Sequence, residues 1–130
     1  MGIPINYIGR LNDDQTLALI YSAADVMVVP SYIESFGQTA SEAQACGLPV
    51  VAFNSTGLKD IVSHKETGYL AKPYYWEDIY EGIKWILIND KKINFSIQSS
   101  LRAKKLWSPE VISKKYFHLY TDLLLTLIHI

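Results

Sequence analysis

The 130-residue chain has one cysteine, no excess of either charge and no long apolar run, and each shortage closes off a class of protein. Cys46 alone cannot form an internal disulfide, which excludes a cysteine-stapled secreted scaffold and fits a reducing compartment. Twelve Lys and Arg stand against thirteen Asp and Glu, a net charge of -1, so no positive excess exists to displace counterions and no nucleic-acid partner is expected. The longest strongly apolar stretch, Leu123 to Ile130, is broken by Thr126 and His129 and falls well short of the roughly 18 residues of a membrane span. Met1-Gly2-Ile3-Pro4 has no basic region leading into an apolar one, so no signal peptide is expected, and Gly2 opens no myristoylation motif. The default compartment is the cytoplasm. Also missing are G-x-G-x-x-G, the P-loop, H-E-x-x-H and paired C-x-x-C, the usual carriers of dinucleotide, nucleoside triphosphate and zinc chemistry. His64, His118 and His129 are scattered, and no metal ligation is expected of them. Asn54-Ser55-Thr56 and Asn94-Phe95-Ser96 match the glycosylation pattern, which says nothing without a secretory signal.

What is present suits a single globular domain, with 49% hydrophobic, 12% aromatic and 19% charged residues. Surface scaling for a chain of this size gives about 6,900 Å² folded against about 21,000 Å² unfolded, so about two-thirds of the surface can be buried. The first two-thirds alternate short β-branched runs with helical patterns, the signature of a Rossmann-like parallel sheet with crossover helices. About four strands are expected: Ile5 to Ile8, closed by Gly9; Val26 to Val29; Pro49 to Phe53; and Tyr69 to Ala71. Helices are expected from Asp13-Asp14-Gln15 to about Ala23, from Thr39 to Ala45 with Gly47 as left-handed terminator, and over Leu58 to Val62. Beyond Pro73 the pattern is helical only: Trp76 to Ile88, a segment around Lys91 to Leu106, and a last helix after Pro109. There Ile112, Tyr116, Leu119, Tyr120, Leu123, Leu124 and Leu127 form one stripe at helical spacing, read as core.

The segment Pro30 to Val51, PSYIESFGQTASEAQACGLPVV, carries the chemistry. A covered strand ends, a loop with Gly37 follows and a helix begins, which is where an open α/β sheet places its ligands. A helix start presents unpaired N–H groups and a positive dipole end, suited to a diphosphate or sugar oxygens. Gly37 allows close backbone approach because it has no Cβ. Glu34 and Glu42 are carboxylates able to accept paired hydrogen bonds from vicinal sugar hydroxyls. A structural reading competes. Thr39-Ala40-Ser41-Glu42 and Ser31-Tyr32-Ile33-Glu34 both match a capping box, and spacing alone favours that purely structural role.

Pro-Ser-x-x-Glu-x-Phe-Gly, followed by Glu-Ala and Gly-x-Pro-Val-Val, resembles the E-x7-E segment in the C-terminal domain of retaining glycosyltransferases of the GT-B fold, particularly family 4. Ile8-Gly9 and Leu11, Tyr21 to Asp25, Gly57 to Val62, Gly68-Tyr69-Leu70, Trp107-Ser108 and Tyr120 extend the likeness over nearly the whole chain. The resemblance implies a nucleotide-sugar donor, a glycan or lipid-linked acceptor, and no metal or other cofactor. It gives Glu34 the catalytic place beside the donor sugar and Glu42 the ribose hydroxyls. It places Ser35, Phe36, Gly37, Gln38 and Thr39 along the donor, with the N–H groups of Phe36, Gly37 and Gln38 facing the sugar and distal phosphate.

The chain also departs from the family. Ser35 stands where a glycine is common, and Asp60 where a glutamate is usual. The family's diphosphate-binding arginine and lysine and its N-terminal domain, which binds the acceptor, have no counterpart; Arg10 and Lys59 are the nearest basic candidates and match neither. The expectation is therefore one domain over residues 1–130, the C-terminal part of a donor-binding domain, inactive alone and partnered by the missing N-terminal domain. The alternatives are a non-catalytic nucleotide-sugar-binding or assembly module, and a GT-B epimerase or phosphorylase, against which the Ser-x-x-Glu-x-Phe-Gly loop argues. Cys46 reads as a small packed residue and Tyr74-Tyr75-Trp76 as a loop anchor. Lys104-Lys105 and Lys114-Lys115 read as solvated helix faces, below a polybasic cluster, which leaves room only for weak peripheral association at the inner face of a membrane.

Overall fold

A computed structural model describes residues 2–90 and 92–128, so His129 and the start of the expected Lys91 to Leu106 segment lie outside the described residues. In chain order the elements are α1 (Asp14–Ala23), β1 (Met27–Val29), α2 (Gln38–Ala45), β2 (Val50–Phe53), α3 (Leu58–Ile61), β3 (Gly68–Ala71), α4 (Trp76–Ile88), α5 (Lys92–Trp107) and α6 (Pro109–Ile128). The strands form one parallel sheet in the order β1-β2-β3, with Met27 opposite Val50 and Val51 opposite Tyr69. Parallel neighbours need crossover connections, and α2 and α3 supply them.

The central strand β2 is buried on both faces at all four residues, which is why its sequence is an unbroken apolar run. Val50 and Ala52 face a cluster with Ala40, Ala43, Leu58, Ile61 and Val62. Val51 and Phe53 point the other way, onto Ala71, Ile79 and Ile86, so α2 and α3 cover one face and α4 the other. A buried polar bridge ties the layers. The Gln44 amide of α2 donates to the Thr67 carbonyl at 3.2 Å and to its hydroxyl at 2.9 Å, and Ser99 of α5 donates to the same carbonyl at 3.2 Å.

Three sequence expectations change. The sheet has three strands, not four: among the described residues Ile5 to Ile8 have no ladder partner and are exposed. A β-branched run without a neighbour to satisfy its N–H and C=O groups does not hold as a strand. The α6 stripe is not core, since no α6 residue is buried and Tyr116, Leu119, Tyr120, Leu123, Leu124 and Leu127 are all exposed. Both departures leave surface uncovered. The chain presents 9,422 Å² rather than about 6,900 Å², so it buries a little over half of its unfolded surface instead of two-thirds.

Candidate functional site

The loop from Pro30 to Gly37 leaves the carboxyl end of β1 and enters α2. Gly37 is the residue before the helix and adopts φ 88°, ψ 49°, a left-handed conformation that costs glycine nothing. Its lack of a side chain matters as well, because an added Cβ would lie 3.0 Å from Leu58 Cδ2 and 3.5 Å from Glu34 Cγ. Helix α2 thus begins one residue earlier than expected, at Gln38, with no side-chain cap. Ser41 N–H donates to the Gly37 carbonyl at 3.0 Å, the first helical bond. The N–H groups of Gln38, Thr39 and Ala40 precede it and have no intrahelical acceptor.

Neither capping box forms. Thr39 lies inside the helix, so Glu42 is two residues past the position that reaches back to the cap, and no helix starts at Ser31. Glu42, partly buried, instead accepts a hydrogen bond from the Gln38 side-chain amide at 3.0 Å. The Glu34 carboxylate has no hydrogen-bond partner among the described residues. Its backbone is fixed: Glu34 N–H donates to Thr56 Oγ1 at 2.9 Å, and Gly57 N–H donates to the Glu34 carbonyl at 2.9 Å. A Cβ at Gly57 would meet Phe36 Cα and the Ser35 carbonyl at 2.7 Å, so the two loops touch backbone to backbone. From the other side Trp107 of α5 meets the Phe36 ring edge to face, centroids 5.0 Å apart.

Sequence reasoning missed Thr56, Gly57 and Trp107 as the supports of this loop. The available signal was Asn54 to Gly57, a turn-rich stretch at the carboxyl end of a buried strand. Ser35 is not among the residues with positive φ, so replacing the family's common glycine there brings no backbone strain.

Two clefts flank α2. One of about 410 Å³ lies between α1 and α2 and is lined by Asp14, Leu17, Tyr21, Gln38, Glu42 and Cys46. The other, about 360 Å³, is lined by Glu42, Ala45, Ala103, Lys104, Trp107 and Pro109 among others. Glu42 reaches both, whereas Glu34, Ser35, Phe36 and Thr39 line neither. Burial, and then the Glu42 charge, push the Tyr21 phenol and the Cys46 thiol above their usual ranges. Cys46 is thereby kept as a thiol, in line with a packed rather than reactive cysteine. Lys104, Lys105, Lys114 and Lys115 are exposed, as solvated helix faces should be. Among the described residues no helix is long and apolar enough to cross a membrane.

A parallel α/β sheet with α2 and α3 on one face and α4 on the other defines the class: a Rossmann-like domain. The chain belongs to the family described as glycosyl transferases group 1, whose pattern matches residues 2–100. It is 47% identical over 74 residues to a D-inositol 3-phosphate glycosyltransferase of Mycobacteroides abscessus, covering 57% of this chain and 17% of that protein. It is 34% identical over 99 residues to an uncharacterized glycosyltransferase of Haemophilus influenzae, covering 75% of this chain and 27% of that one. The chain therefore spans well under a third of the length of these relatives. Among solved structures, sucrose-phosphate synthase from Thermosynechococcus elongatus superposes with a TM-score of 0.83 at 36% identity, over 93% of this chain and 30% of that one. The Anabaena protein HepE in complex with UDP and glucose gives 0.72 at 23% identity, over 79% of this chain and 29% of that one, a likeness of fold. These neighbours place the domain in the GT-B architecture.

Proposed function

We propose that the chain is the donor-binding part of a retaining, family 4-like glycosyltransferase that moves a hexosyl group from a nucleotide-sugar to a glycan or lipid-linked acceptor. One observation carries the reading: Glu34 and Glu42 flank an uncapped helix start, and neither is used as a cap. The neighbours of similar fold that hold UDP, or UDP with a sugar, support the donor class.

In this proposal Glu42 accepts the two ribose hydroxyls, its orientation held by Gln38. Glu34 faces the donor sugar, where its carboxylate accepts hydroxyl hydrogen bonds and steadies positive charge at the anomeric carbon. Ser35 to Thr39 run along the sugar and the diphosphate. The bond from the anomeric carbon to the diphosphate oxygen breaks, and a bond to the acceptor oxygen forms on the same face. The acceptor proton leaves with the diphosphate. The α2 N-terminus stabilises that departing charge, in place of a metal, by about 0.3–1 kcal/mol at an exposed site. So small a term cannot drive turnover by itself, since most of the barrier must be met by positioned groups around the reacting centre. The 130-residue chain is accordingly proposed to bind donor without transferring sugar unless an acceptor-binding domain joins it, and to work at or near the cytoplasmic side of a membrane when its acceptor is lipid-linked.

Titration calorimetry with UDP, GDP and ADP tests the donor site. One nucleotide should bind, and Glu42→Ala should weaken it at least ~10-fold, the weight of charge-assisted hydrogen bonds, with circular dichroism unchanged. A folded chain that binds none of the three, or binds equally well without Glu42, would sink the reading. Sugar transfer by this chain alone would refute the inactive state.

A further inference from the structure

We propose that Tyr74 and Trp76, with Tyr74 seated on Tyr32, form a stacking platform for a pyranose ring of a glycan, a sugar subsite apart from the acceptor pocket of an N-terminal domain.

Three features support it. The first is place: Tyr32 follows β1 two residues before Glu34, and Tyr74 to Trp76 follow β3, so both segments leave carboxyl ends of the same parallel sheet. The second is a graded stack running from the core to solvent. Phe53 of the central strand is 0% exposed, Tyr32 lies on it at 5.3 Å and 14° and is 40% exposed, and Tyr74 lies on Tyr32 at 4.6 Å and 26° and is 67% exposed. Trp76 stands edge-on to Phe53 at 5.4 Å and to Tyr32 at 6.0 Å, and is 53% exposed. Rings anchored this way are ordered before any ligand arrives, so binding loses little conformational freedom in them.

The third feature is Tyr74 itself, at φ 67°. A bulky side chain is disfavoured there because its Cβ crowds the carbonyl oxygen, and glycine would serve the turn better. The turn is nonetheless firmly tied: Lys72 N–H donates to Asp78 Oδ2 at 2.6 Å and Tyr75 N–H to the Lys72 carbonyl at 3.2 Å. Lys72 Nζ covers the Tyr75 ring at 3.9 Å, which leaves Tyr74 and Trp76 as the open faces. Backbone strain held at an exposed aromatic ring points to a use for that ring. An aromatic face is electron-rich, and the axial C–H face of a pyranose is apolar with slight positive charge, so the two are complementary. The hydroxyl rim of the same sugar finds polar partners in the tyrosine hydroxyls.

The test uses the whole chain with three neutral disaccharides, cellobiose, lactose and diacetylchitobiose, read by saturation-transfer NMR. At least one should receive saturation on its axial C–H protons. Tyr74→Gly, which suits the left-handed backbone, should weaken that binding about fivefold while keeping the melting temperature and the affinity for UDP. No saturation of any disaccharide, or equal binding by the glycine variant, overturns the proposal. So does a loss seen only with UDP-glucose, which would make the platform part of the donor site, or a dimer in sedimentation that Tyr74→Gly dissolves. Glu42→Ala serves as the control: nucleotide binding falls and disaccharide binding stays, so failure of the donor site and failure of the platform are read on separate scales.

Discussion

Helices α2 and α6 invert the usual association of hydrophobicity with burial. Helix α2 has eight residues, QTASEAQA, and buries Ala40, Ala43 and even Gln44. Helix α6 has twenty, rich in leucine and tyrosine, and buries none. What lies opposite decides the outcome: α2 packs on the central strand and on α5, whereas among the described residues α6 packs mainly on α5 and buries no side chain. Two leucines condense the comparison. Leu58, on a four-residue helix, is 0% exposed, while Leu123, on a twenty-residue one, is 51% exposed. Leu58→Ala should therefore cost about 2–5 kcal/mol in denaturant unfolding, the transfer loss plus the cavity left behind. Because Leu58 also underlies Gly37, nucleotide affinity should fall with it. If Leu58→Ala unfolds no more easily than Leu123→Ala, the two halves do not differ as drawn.

Gly57 sharpens the comparison on the packed side. A methyl group there meets backbone atoms of Phe36 and Ser35, not the flexible end of a side chain, so the loop between β1 and α2 must itself move. Gly57→Ala should cost about 1–3 kcal/mol, typical of overpacking, and should abolish nucleotide binding while the chain stays folded. Wild-type affinity in this variant, measured by calorimetry, would show that the contact between the loops does not set the geometry of the site.

The parts of the fold that could be read from the sequence are those fixed by local pattern. The run Pro49 to Phe53 signals a strand covered on both faces, and Gly47 ends α2 in a left-handed conformation at φ 79°, as its position suggested. Partnership is less local. Ile5 to Ile8 and the α6 stripe have the right spacing for their expected roles, but spacing does not say whether a neighbour exists to complete them. At the candidate site the two glutamates were visible in the sequence, yet the choice between cap and ligand group turned on where α2 begins. A left-handed Gly37 moved that start to Gln38 and removed the Thr39 box, while the Ser31 box failed because no helix begins there. Tyr74 and Trp76 were legible as loop anchors and do pack on Tyr32 and Phe53, but Thr56 could not have been found by period or motif, since it meets Glu34 across a separation of 22 residues.

The smallest effect is expected at Leu123, and it bears on the comparison most directly. Roughly half of its surface already meets water, so removing its side chain gives up little burial. Alanine is also the better helix former, by a few tenths of a kcal/mol at most. The two terms oppose each other, and Leu123→Ala should leave the unfolding midpoint within about 0.5 kcal/mol of wild type. Combined with Leu124→Gln and Leu127→Gln, it should reduce binding of a hydrophobic dye, because these side chains form part of the exposed apolar surface of α6. A loss above about 2 kcal/mol from Leu123→Ala alone would mean that α6 is buried against something in solution, such as a second copy of the chain. Repeating the measurement over a range of protein concentrations identifies that case, since only a self-associating chain gains stability as it is concentrated.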